Sequence, residues 1–466
     1  MDRVLVEKRA AAAVPVDAAR AGVPRLVAWA VLAGAGLTVL AVIAMVLRRL
    51  PTGSREAGWT YPYDRLAGEW HVLWPALVVT PAVLGLLWLS RRLPERADAA
   101  VAAGWFVAVI PLQLLLRTYA LPSLGDIVAS DRANSFYSPS QRWGIGEFMG
   151  NYMGLVEQLP PHARTNMPGK TMLYFLLDAL GLGPAAMGVA VLALANLSAV
   201  LLWLIVRDLT SDRRIALYAL VLGLLLPGTL YFAPVLNAVS PVPILLALWL
   251  HVRFLKTGRY GYALGLGCAL YLTVFFEALP LVLGVVFAAL LGVALRQRTL
   301  TWPDVLRLVA LTVAGFAVCN ALLRGLFGYD LFDNFAYVLA DANDFNARWR
   351  PYGMWVTRNL WYLALAAGVA SCVLLAAATF DAVRRRSIHP AAVLTLSGVA
   401  VLVVLDLWGI NRGETVRLWI FLAVYLQIAA AWLCARTPRL WPAALLLSAA
   451  ILQSTAGSAM IGFVRV

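Results

Sequence analysis

The sequence predicts an all-α, polytopic membrane protein, and three observations carry that expectation. Hydrophobic residues make up 62% of the chain and charged residues only 13%, whereas a soluble domain is about half apolar and a quarter charged. Mean hydropathy is +0.79. Apolar runs approaching or reaching the roughly 20 residues that a spanning helix needs recur from end to end. They lie near residues 26–47, 71–90, 100–117, 184–206, 214–233, 239–256, 261–276, 278–295, 305–323, 359–380, 390–407, 418–435 and 440–462. About thirteen transmembrane helices follow.

A basic, Ala-rich tail with Lys8, Arg9, Arg20 and Arg25 precedes the first run. That run is too long for a signal-peptide core and ends at Arg48-Arg49 without a cleavage pattern, so it reads as a retained anchor. Trp59, Tyr61, Tyr63 and Trp70 follow in a loop, the composition of an interfacial aromatic belt. Residues 1–99 therefore divide off as a tail plus two additional transmembrane helices, ahead of a transmembrane core at 100–466. Cys268, Cys319, Cys372 and Cys434 fall inside predicted spans with no C-x-x-C spacing, as small packing residues do.

Most of the 38 Lys and Arg residues fall in one alternate set of connections when the N-terminus is placed in the cytoplasm. The acids lean the other way, so the polar segments 118–170, 324–358 and 406–417 share the non-cytoplasmic face. The net charge of +14 is largely this topological bias, and nucleic-acid binding is not expected.

Segment 118–170 is the longest polar interruption. Ser130 is expected to cap a short helix running to Tyr137, which Pro139 ends. From 143 to 159, Ile145, Phe148, Met149, Tyr152, Leu155 and Val156 recur at helical spacing, the pattern of a helix lying in the membrane interface. The Pro168-Gly169 turn then returns the chain to an apolar stretch, 172–177, too short to span and expected to be interfacial or re-entrant.

An acidic residue soon after a membrane exit, two interfacial helices and a Pro-Gly turn into a short apolar helix resemble the first external loop of GT-C glycosyltransferases. These polytopic enzymes use polyprenyl-phosphate sugars, and include the protein O-mannosyltransferases and the lipid A aminoarabinose transferase. The chain departs from the family motifs at both ends of the loop. Asp126 is followed by Ile127 and Asp131 by Arg132, where many members have Asp-Glu, and the turn reads Asn166-Met167-Pro168-Gly169 rather than a His-Pro-Pro-Gly type. The resemblance implies an inverting transferase in a cytoplasmic membrane that moves a sugar from a polyprenyl-phosphate donor to a glycolipid or cell-envelope glycan on the non-cytoplasmic face.

Such chemistry needs a carboxylate to take the acceptor proton, and Asp126 and Asp131 are both candidates. Asp126 stands shortly beyond the membrane exit; Asp131 precedes Phe136 and Tyr137, as the family aspartate precedes a tyrosine. The lipid-phosphate leaving group calls for Arg or Lys at the interface. Lys170 and Arg164 flank the turn, and Arg412 and Arg417 bracket Glu414 where a late external loop of the family completes the donor pocket. His162, Tyr137, Glu277 and Glu414 are expected to line the acceptor pocket. No cofactor is expected, and no metal, since neither Glu277 nor Asp178 has a ligand partner at i+3 or i+4. Two other classes stay open: a transporter or flippase of a lipid-linked substrate, suggested by the breaks at Pro227-Gly228 and Pro241-Val242-Pro243, and a scaffold subunit of an envelope-polymer assembly.

Overall fold

Proline or glycine, rather than polarity, opens most of the longer helices. The computed structural model describes residues 24–54, 56, 58–409 and 411–466; Lys8, Arg9 and Arg20 lie outside them. Helix α1 is Pro24–Val46. A two-residue hairpin, β1 Gly53–Ser54 with β2 Trp59–Thr60, leads to α2, Trp74–Arg92, and α3, Asp98–Leu116. The polar loop that follows holds five short helices: α4 Leu124–Ala129, α5 Tyr137–Arg142, α6 Ile145–Gly150, α7 Tyr152–Leu155 and α8 Pro161–Arg164. It closes on α9, Gly169–Ala179.

Proline then opens one helix after another, because its missing N–H is harmless in a first turn. It does so in α10 Pro184–Thr210, α12 Pro227–Phe232 and α13 Pro241–Thr257, with α11 Arg213–Leu224 between the first two. Next come α14 Tyr260–Phe276, α15 Gly284–Arg296, α16 Trp302–Phe327 and α17 Leu331–Trp349. The chain ends with α18 Tyr352–Ala367, α19 Val369–Arg384, α20 Pro390–Trp408, α21 Thr415–Leu418, α22 Ile420–Ala435 and α23 Trp441–Met460.

All thirteen expected runs fall on helices, but 214–233 is divided between α11 and α12 and 359–380 between α18 and α19. Among the described residues, ten helical stretches are long and apolar enough to cross a membrane, and an eleventh is the bent pair α18–α19; α14 and α22 are apolar but shorter. The protein is an all-α, multi-pass membrane protein. Every residue of α22 is buried, with α11, α19 and α20 around it. Helix α1 packs on α19 and α23, within the same core.

The bend of 109° between α18 and α19 falls at Gly368, whose φ of +95° disfavours any residue with a Cβ. Backbone groups freed inside an apolar bundle must find partners. Gln453 accepts from the Val369 N–H at 2.9 Å and donates to the Leu365 carbonyl at 3.0 Å, while Gln427 donates to Ala367 at 3.0 Å. Gln113 and Asn196 exchange two 2.8 Å amide bonds, and Gln113 also caps the Leu224 carbonyl at the end of α11. Helices α14 and α16 cross in backbone contact: a Cβ on Gly267 would lie 2.0 Å from the Thr312 carbonyl oxygen, and one on Gly315 2.1 Å from that of Leu264.

Three local expectations are corrected. The loop aromatics do not form an interfacial belt: Tyr61 is 3% exposed and its ring meets Phe232, Tyr362 and Phe463, because the hairpin turns the segment into the core. Only Trp70 of that group is exposed. Ser130 caps a turn, accepting from Arg132 and Ala133, and Pro139 sits in the first turn of α5 instead of ending a helix. The 143–159 stretch breaks into α6, α7 and a 3-10 turn at Val156–Gln158, its four glycines weakening any longer helix. Phe148, Met149, Tyr152, Leu155 and Val156 bury against protein and roof the loop.

Candidate anion site at the end of the bundle

The Pro168-Gly169 turn places a lysine where water scarcely reaches. A Cβ on Gly169 would stand 2.4 Å from the Phe275 carbonyl oxygen, so only glycine lets the start of α9 lie against the end of α14. The next residue, Lys170, is 1% exposed, and its Nζ lies 2.9 Å from Glu277 Oε2 and 2.9 Å from Asn166 Oδ1. The rings of Phe136 and Phe276 stand 5.6 and 5.9 Å from the ammonium. Glu277 also accepts from Asn237 Nδ2 at 3.1 Å and from Ser240 Oγ. Burial pulls the Lys170 pKa below its ordinary value, against the pull of Glu277.

A second charged cluster closes the site from the far end of the sequence. Glu414, in the left-handed region at φ +55°, pairs with both Arg350 and Arg417. Burial pushes its carboxyl up, but Arg417 and Arg350 outweigh that and hold it below the usual range. Arg350 also lies over the Trp59 ring, and Arg412 braces it from behind, accepting from it at 2.6 Å through its own carbonyl.

Between the clusters lies a cavity of about 30 Å³ lined by Phe136, His162, Asn166, Lys170, Asn237 and Arg417, with Ala133, Val235 and Leu418. Arg417 Nε is buried with no hydrogen-bond partner. His162 is held down to about 4 by burial first, then by Arg417 and Lys170, so its imidazole is neutral at pH 7. The site thus offers a guanidinium, an ammonium, two amides and a neutral imidazole to one small space, an arrangement suited to an anionic oxygen.

Among the expected site residues, the structure brings together Lys170, Arg417, His162, Glu277 and Glu414. Arg412 turns to backbone, donating to the Gly409 and Arg350 carbonyls. Arg164 lies 3.7 Å from Glu157 at the surface. Tyr137 meets Tyr174 edge-on. Asp126 forms a capping box with Ser123, its carboxylate taking the Ser123 hydroxyl at 2.6 Å. Asp131 accepts from Ser138 and faces Arg142 at 3.4 Å. Neither aspartate lines the cavity. Asn237, Ser240 and Phe136 were not expected; the one signal, for the first two, was a polar pair interrupting an apolar run just before Pro241.

No protein-family model matches the chain, and no curated protein is similar to it. Among the described residues, no group of three or more His, Cys, Asp or Glu side chains could hold a metal ion.

Proposed function

We propose that this protein is a GT-C-like membrane glycosyltransferase of about thirteen spans, whose Lys170–Arg417 cavity receives the phosphate of a polyprenyl-phosphate sugar on the non-cytoplasmic face. The observation that carries the reading is the convergence of Lys170 and Arg417 on one cavity, each backed by its own buried carboxylate. Lys170, Arg350 and Arg417 against Glu277 and Glu414 leave one positive charge in excess, which matches a phosphodiester monoanion. Helical bundle ends with preorganised cations stabilise a departing lipid phosphate, since the donors need not reorganise as charge develops.

The base is Asp126 or Asp131, both on the loop that roofs the site. Asp131 is the nearer in sequence to cavity-lining Ala133 and Phe136. A space of about 30 Å³ admits a water or a phosphate oxygen and no sugar.

The test is mass spectrometry of host envelope lipids and glycans after gene deletion, then complementation with wild type, Lys170→Met, Asp126→Asn or Asp131→Asn at matched protein levels. Loss of one sugar, restored by wild type and not by Lys170→Met, supports the reading, and the failing Asp→Asn variant names the base. An unchanged glycan profile on deletion, or full restoration by Lys170→Met, removes it.

A further inference from the structure

At the opposite end of the bundle lies a second cavity, of about 260 Å³, lined by Trp88, Arg91, Arg92 and Leu440. It opens where α2 finishes and α23 begins, at the level where a spanning helix leaves the hydrocarbon. We propose that this groove binds the phosphate headgroup of an anionic phospholipid.

Both arginines are fixed before any ligand arrives. Arg91 donates to the Pro438 carbonyl at 2.6 Å, which ties the end of α2 to the turn before α23. The Arg92 guanidinium lies 3.7 Å from the centre of the Trp88 ring. Each fork has five N–H donors and only one of those contacts uses any of them, so donors are left over for a phosphate. None of the four lining residues is acidic. The nearest acid along the chain, Glu95, is exposed in the turn after α2, and the next, Asp98, is engaged by Arg213 at 2.6 Å. Arg214 adds positive charge nearby, reaching the Thr437 carbonyl.

The groove's walls suit a lipid rather than a soluble anion. Trp88 is 47% exposed, and Leu89 and Trp441 beside it are exposed as well, so apolar surface continues from the arginines down the sides of α2 and α23. A phosphate held by the two guanidinium groups would leave its acyl chains along that surface. Basic pockets between spanning helices are the usual form of such sites.

The experiment is native mass spectrometry of the full chain in detergent with phosphatidylglycerol and phosphatidylcholine at equal concentration. Each arginine near a membrane surface contributes roughly fivefold to anionic-lipid affinity, so Arg91→Gln/Arg92→Gln is expected to lower phosphatidylglycerol retention roughly twentyfold relative to phosphatidylcholine. Trp88→Leu, which removes the surface under Arg92 but no charge, is expected to lower it severalfold, and keeps the test open where the double variant does not fold. Arg439→Gln, a charge loss outside the groove, is expected to change it little. Equal loss in Arg439→Gln and the double variant would mean diffuse surface charge and overturn the site. Displacement of the lipid by millimolar inorganic phosphate would overturn the lipid assignment, leaving a phosphate site alone.

Discussion

Lys170 and Glu277 stand 2.9 Å apart with side-chain exposures of 1% and 10%, although 107 positions separate them in the chain. Removing one member of a buried ion pair strands the other, at a cost of about 3–5 kcal/mol. Glu277→Gln is therefore expected to lower the thermal midpoint markedly, and Lys170→Met/Glu277→Leu to recover most of that loss while remaining unable to bind a phosphodiester. Differential scanning fluorimetry with all three variants checks this; a Glu277→Gln midpoint equal to wild type contradicts the pairing.

Gly169→Val is expected to destabilise the loop, because its side chain meets the Phe275 backbone carbonyl, which has nowhere to go. Gly183, where a Cβ meets nothing within 4 Å, should accept alanine with little effect. Limited proteolysis across 118–170 separates the two: faster cleavage is expected in Gly169→Val alone.

His162 makes the site pH-dependent in a defined direction. Its folded pKa, about 4, lies below the ordinary 6.5, so between those values the unfolded chain holds more protons. Stability contributed there is complete above about pH 6.5 and falls as pH drops toward 4. Glu414, also depressed, adds a loss below its ordinary range. Burial depresses His162 most, and an anion bound beside Arg417 and Lys170 offsets the charges that depress it further, so binding raises its pKa and takes up part of a proton on the acid side. Phosphodiester affinity is expected to rise between pH 7 and 5 in wild type and to stay flatter in His162→Gln; calorimetry in two buffers of different ionisation enthalpy measures the proton directly.

Gln453→Leu removes the partner of the Val369 N–H and of the Leu365 carbonyl at the α18–α19 bend. Each buried polar group so orphaned costs about 1–3 kcal/mol. The variant is expected to unfold well below wild type, whereas Gln297→Leu, in an exposed connection, should not; equal midpoints would show that water reaches the bend.

The apolar helices were legible because long apolar runs have one common explanation, and among the described residues ten of them are long enough to cross a membrane. The pairings were not. Nothing in the spacing of Lys170 and Glu277, or of Arg350 and Glu414, reports that α9 meets α14 or that α18 meets α21, since those contacts depend on how helices pack laterally. The Pro168-Gly169 turn stood out as a place where the chain reverses, but its reason, a carbonyl passing beside Gly169, is tertiary. Asp126 and Ser123 show the opposite case: S-x-x-D is a local capping signature, and the carboxylate in a conspicuous loop makes that bond.

Helix α22 has 16 residues and every one is covered by protein. At 1.5 Å per residue it is about 24 Å long, against a hydrocarbon layer of about 30 Å. A helix shielded from lipid is free of the length that lipid imposes. Glu414 and Arg417 come in the cap and short helix α21 immediately before this column, so the charged cluster is anchored to the part of the bundle whose length the surrounding lipid does not set.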